Sequence, residues 1–143
     1  LLFHSGRPVS RPKRRALPHD TNRMETYYRG EEEAMPYITN RTLKVREFRG
    51  SSRSNVLWTE KRAMQSWNTQ RYLYGKPIDV GFAFKRPYEG GHGNQSQHYA
   101  GLAFDVGQRM TNAQRDALRA SAVASNVWSY VEPRIFNSYM GTF

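Results

Sequence analysis

Two apolar runs on either side of a glycine-rich loop constrain this chain more than any other feature. Ile78, Val80, Phe82 and Phe84 alternate with Asp79, Gly81 and Ala83, and beyond the loop at Glu89–Asn94 a second apolar stretch runs from Leu102 to Val106. Alternation with a period of two puts every second side chain on one face of a sheet. The first run therefore reads as a strand with one apolar face and one face of small residues, against which another element packs closely. Thr111-Asn112-Ala113-Gln114 follows and matches a capping box, in which the Thr hydroxyl takes a backbone N–H three residues on and the Gln side chain reaches back. A helix to Asn126 is expected there, with Leu118 and Val123 on an alanine-rich face turned to the sheet, and a further strand over Val127–Val131. Upstream, Ala63, Met64, Trp67, Tyr72 and Tyr74 fall at helical spacing between a Thr59 N-cap and a Gly75 stop. Leu43, Val45 and Glu47 alternate with Thr42, Lys44, Arg46 and Phe48, which predicts a short half-exposed strand ended by Gly50-Ser51-Ser52. The expected class is α+β, a small central antiparallel sheet with flanking helices.

A length of 143 residues fits one compact domain. With 22 Lys and Arg against 12 Asp and Glu, the formal net charge is +10, so polyanions are natural partners. The absence of cysteine rules out disulfides, thiolate nucleophiles and Cys-ligated zinc, leaving His and carboxylates to hold any metal. No apolar run approaches the roughly 20 residues that span a bilayer, and Leu1-Leu2-Phe3 is too short for a signal-peptide core. Residues 1–36 carry Arg7, Arg11, Lys13, Arg14, Arg15, Arg23 and Arg29 among prolines and end in Glu31-Glu32-Glu33. They read as a basic, Pro-containing arm with little core, and residues 37–143 as the folded domain. Trp58, Trp67 and Trp128 are expected to fill that core. No ribonucleoprotein-type aromatic motif, zinc finger or recognition helix points to a specific nucleic acid partner.

Of four histidines, only His98 stands in a dense pattern, Ser96-Gln97-His98-Tyr99-Ala100-Gly101-Leu102-Ala103-Phe104-Asp105. A loop His and a strand Asp converge on one cavity if the chain turns near Gly101, where a missing Cβ makes the turn cheap. Such a pair is either an ordinary hydrogen-bonded couple or the beginning of a zinc site.

The arrangement S-x-H-x-x-G-x-A-x-D resembles the zinc motif of the D-alanyl-D-alanine carboxypeptidase and peptidoglycan endopeptidase superfamily, peptidase family M15. The resemblance covers roughly Arg46 to Phe143. Hedgehog signalling domains share a similar motif, so the fold by itself does not guarantee peptidase activity. The resemblance implies that His98 and Asp105 bind Zn²⁺ while Ser96, Gly101 and Ala103 shape the turn. It further implies that Arg86, after the strand, contacts a substrate carboxylate through its two-pronged guanidinium, with Lys85 or Arg53 as alternatives. Tyr130-Val131-Glu132-Pro133 resembles the segment that precedes the family's third ligand, a His that would lie just past Phe143, and Glu132 is the candidate general base. His92, in the glycine-rich loop, matches no family position, and His4 and His19 fall in the arm. With two donors only, the 143 residues are expected to bind zinc weakly and to show little activity. The implied substrate is the stem peptide of peptidoglycan, cleaved outside the cytoplasm at a bacterial cell wall whose anionic polymers suit the basic surface. The alternative is a non-catalytic module on the same scaffold that binds the wall or another polyanion.

Overall fold

The computed structural model describes residues 1–5, 24–28, 30–86 and 103–133. It is a mixed α/β structure with a four-stranded antiparallel sheet, a separate two-stranded sheet and three helices among these residues. The larger sheet joins β1 (Leu2–His4), β4 (Val80–Phe82), β5 (Ala103–Val106) and β6 (Tyr130–Val131) in the order β4-β5-β1-β6. The smaller one pairs β2 (Met24–Tyr28) with β3 (Val56–Glu60). Helices α1 (Val45–Arg49), α2 (Lys61–Tyr74) and α3 (Asn112–Ser125) complete the fold.

The first residues do not belong to an arm. β1 is an interior strand, antiparallel to β5 on one side and β6 on the other, with Phe3 opposite both Phe104 and Val131. Phe3 is fully buried, and its ring lies 5.5 Å from that of Trp128, which is itself 5.5 Å from Phe104. Trp67 of α2 stacks on Phe104 at 5.2 Å, so this face of the sheet is the core face. α2 and α3 meet over it: Gln70 donates to Ser121 Oγ at 2.9 Å and accepts from Trp128 Nε1 at 3.0 Å. Thus Trp67 and Trp128 fill the core and Trp58 packs against it, as expected of the tryptophans. The glutamine is fully buried, and its two hydrogen bonds offset the cost of removing its amide from water.

The expected capping box is present: Thr111 Oγ1 accepts from Gln114 N at 3.1 Å and Gln114 Oε1 from Thr111 N at 2.9 Å. Leu118 and Ala122 carry the buried face of α3, whereas Val123 is 53% exposed, because residues four apart share a helix face and five apart do not. Gly75 ends α2 in the left-handed conformation as expected, but its N-cap is Glu60, which accepts from Ala63 N at 3.1 Å, and Thr59 belongs to β3. The strand expected before Gly50 is instead the single-turn α1. Glu47 accepts from Lys44 N at 2.8 Å, and Val45 and Phe48, three apart, are both buried. β4 is shorter than the alternation predicts because its register shifts between Val80 and Phe82. After that irregularity Ala83 and Phe84 are both buried, held by Phe48 O, which accepts from both of their backbone N–H groups at 2.8 Å. β6 likewise occupies only two residues of the expected Val127–Val131 run.

Candidate functional site

The chemistry-bearing residues gather on the opposite face of the large sheet, turned away from α2 and α3. Side chains alternate along a strand, so Leu2 and His4 face away from Phe3, and Ala103 and Asp105 away from Phe104. Pairing of Leu2 with Asp105, His4 with Ala103 and His4 with Tyr130 sets these residues side by side. Asp105 is thus delivered to the non-core face by the same alternation that buries Phe104 and Val106.

Its carboxylate is only 30% exposed, and burial pushes its pKa above the ordinary aspartate range. The Leu1 nitrogen, 3.9 Å from Oδ1, opposes the shift, the nearby Glu132 carboxylate adds to it, and a hydrogen bond with the Gln108 side chain opposes it. Gly81 makes room for that glutamine, since a Cβ there would lie 2.7 Å from Gln108 side-chain atoms. The turn that carries Gln108 is clamped: Arg109 binds Asp79 through N at 2.8 Å and Nε at 2.9 Å, and Gly107 N donates to Asp79 O at 2.8 Å. Arg115 adds bonds to Gly107 O at 2.7 Å and Gln108 O at 3.0 Å. The Gly107 φ of +84° is a conformation that glycine adopts without steric cost.

Glu132 follows β6. Its backbone N donates to Leu2 O at 2.9 Å, its Oε2 accepts from Leu2 N at 2.7 Å, and its carbonyl accepts from Arg119 Nε at 3.1 Å. Asp105 and Glu132 are therefore brought near each other from opposite flanks of β1. Arg86 is exposed beyond β4. Of its alternatives, Lys85 is buried, with Nζ donating to Ser51 Oγ at 2.5 Å and lying 4.7 Å from the Phe82 ring centroid, so it is committed to the interior. Arg53 is exposed. His98, Ser96, Gly101, His92 and His19 lie outside the described residues.

His4, which the local composition assigns to the basic arm, lies in β1. It sits on the same face, its ring stacked on Tyr130 with centroids 5.1 Å apart and planes 10° from parallel. Burial lowers its pKa from the ordinary histidine value, so the imidazole is neutral at pH 7. Its Nδ1 is buried and has no hydrogen-bond partner among the described residues. No group of three His, Cys, Asp or Glu side chains able to hold a metal occurs among the described residues. No described helix is long and apolar enough to cross a membrane. No protein family, curated protein or solved structure matches the chain.

Proposed function

We propose that the chain is a zinc-dependent peptidase of peptidoglycan stem peptides, of D-Ala-D-Ala carboxypeptidase or endopeptidase type, on a Hedgehog/D-Ala-D-Ala-peptidase-like scaffold that works at the bacterial cell wall. The observation that carries the reading is the placement of Asp105. The last residue of the S-x-H-x-x-G-x-A-x-D pattern stands half-buried on the non-core face, beside a second carboxylate from a distant segment. Two carboxylates in a partly desolvated place repel each other, and a divalent cation relieves that repulsion. The donor chemistry therefore suits zinc, with Asp105 and His98 as its holders.

His98 and Asp105 would hold the zinc, which when bound would supply a water acidified toward about pKa 7 and a Lewis acid for the peptide carbonyl. Glu132, held against β1 by Leu2 N, would accept a proton and return it to the leaving amine. Arg86, at the strand end and open to solvent, receives the substrate's terminal carboxylate in a bidentate grip that fixes the scissile bond rather than leaving it to wander. The net charge of +10 draws the protein to teichoic acids and stem carboxylates.

Digestion of purified muropeptides tests the reading. The full-length protein with added zinc should release new amine termini or free D-alanine, and release should stop in chelator and in the His98→Ala variant. Equal release in chelator overturns the metallopeptidase reading. Retention on cell walls without any cleavage replaces it with a binding module on the same scaffold.

A further inference from the structure

We propose that the groove between the loop at 37–42 and the C-terminal half of α2 binds a glycan segment, with Arg71 on a carboxylate-bearing sugar. The choice of sugar rests on the cell-wall reading above, whereas the groove shares no residue with the Asp105 face.

The groove has a volume of about 660 Å³, inside the range of about 300–1,000 Å³ over which small-molecule sites fall. Its lining suits a sugar better than a polyanion. On a chain of net charge +10, Arg71 is the only charged side chain among the described residues that line it. Beside it α2 contributes Asn68, Thr69 and Tyr72, and the loop contributes Thr39, Asn40 and Thr42. Amides and hydroxyls both donate and accept hydrogen bonds, which is what the hydroxyl and acetamido groups of a sugar require. Tyr72 is 83% exposed, and the electron-rich face of such a ring attracts the C–H bonds on one side of a pyranose. The guanidinium of Arg71 takes a carboxylate through paired hydrogen bonds.

The loop is held in a shape that its sequence does not favour. Tyr37, Asn40 and Arg41 all have left-handed backbones, with φ of +65°, +58° and +56°, a conformation that costs residues other than glycine. Such conformations persist where the surroundings over-determine them, and they cluster at binding sites. Here the clamp is α2. Asn68 Oδ1 accepts from Thr39 N at 3.0 Å and Asn68 Nδ2 donates to Tyr37 O at 2.6 Å. Trp67 Nε1 donates to Thr42 Oγ1 at 3.3 Å, and Thr42 Oγ1 donates to Thr39 O at 3.1 Å. The groove is therefore shaped before any ligand arrives, which spares the ordering cost of binding. Asn68 spends its amide on the clamp, so contact with the sugar falls to Asn40, Thr69, Arg71 and Tyr72.

The test is an NMR titration of the chain with the disaccharide of N-acetylglucosamine and N-acetylmuramic acid, which carries one lactyl carboxylate and no peptide, beside neutral di-N-acetylchitobiose. Backbone amides of residues 39–42 and 68–75 should shift with both sugars, and the acidic one should bind more tightly. A charge-assisted hydrogen-bonded pair is worth about tenfold or more, so Arg71→Gln should weaken the acidic disaccharide by at least about tenfold and leave chitobiose unchanged. Tyr72→Ala should weaken both by about 3–10-fold. Leu73→Ala, at a side chain 53% exposed on the same helix but outside the groove lining, should bind as the wild type does. No shift of these amides with either sugar, or wild-type affinity in both Tyr72→Ala and Arg71→Gln, overturns the groove and leaves the peptidase reading to its own test. Shifts with free stem peptide but with neither sugar overturn the glycan in favour of a peptide subsite. Should Arg71→Gln fail to fold, Tyr72→Ala decides alone, because its exposed ring can be removed without opening the core. The predicted binding by a protein that cleaves no muropeptide supports the groove and overturns the peptidase.

Discussion

Replacing Phe3 with alanine separates a central strand from a solvated arm. The ring is fully buried and packs against Trp128, between strands whose Phe104 and Val131 lie opposite it. Truncating a buried phenylalanine costs about 3–5 kcal/mol, the transfer free energy of the lost atoms plus that of the cavity they leave. Against a typical total of about 5–15 kcal/mol, that is a large share. At about 2–4 °C per kcal/mol for a domain near this size, the midpoint of thermal unfolding should fall by roughly 6–20 °C. The assay is circular dichroism melting of Phe3→Ala beside Val123→Ala, whose side chain is 53% exposed and whose loss should matter by no more than about 0.5 kcal/mol. A Phe3→Ala midpoint within about 1 °C of the wild type would refute the placement of β1 in the sheet, and with it the geometry that sets His4 beside Asp105.

Gly50 has φ +54°, and a Cβ there would fall 2.5 Å from Phe82 Cβ, so Gly50→Ala should cost at least about 1–3 kcal/mol, read as a lower urea midpoint; an unchanged midpoint contradicts the close approach of α1 to β4. Gln70→Leu leaves the buried Trp128 Nε1–H without its acceptor and should cost about 1–3 kcal/mol, whereas a neutral result in urea unfolding would show that the Gln70 bridge between α2 and Trp128 contributes nothing. The His4 ring should titrate below its ordinary value near about 6.5, because burial penalises the charged form. The unfolded chain then binds more protons, so this contribution to stability is fully present above about pH 6.5 and is lost as pH falls toward and through the lower folded value. NMR titration of the His4 ring checks this, and a pKa at or above the ordinary value contradicts it.

What the sequence made legible were features with local causes. The Thr111 capping box and the Gly75 stop depend on residues within a few positions of each other, and both stand where the pattern put them. The apolar stretch ending at Val106 does contain a strand, β5, and its alternation, not legible in the run itself, brings Asp105 to the non-core face. Short elements were misread where two periods coincide: over five residues, Val45 and Phe48 satisfy a helical turn as well as Leu43 and Val45 satisfy a strand, and the Glu47 cap decides for the helix. In β4 the register shift between Val80 and Phe82 breaks an alternation that would otherwise continue. β1 was illegible for a different reason. Three residues have no periodicity to read, their partners lie about a hundred positions away, and the arginines and prolines that follow dominate the local composition. His4 was consequently assigned to a basic arm, although its pairing with Ala103 places it in the sheet.

X-ray absorption of the zinc-loaded chain tests most directly whether a loop imidazole and the Asp105 carboxylate share one cation. The predicted spectrum has nitrogen and oxygen neighbours at about 2.0–2.2 Å together with the outer-shell scattering of an imidazole ring, that of His98. A first shell of oxygen alone, without imidazole scattering, would contradict the account.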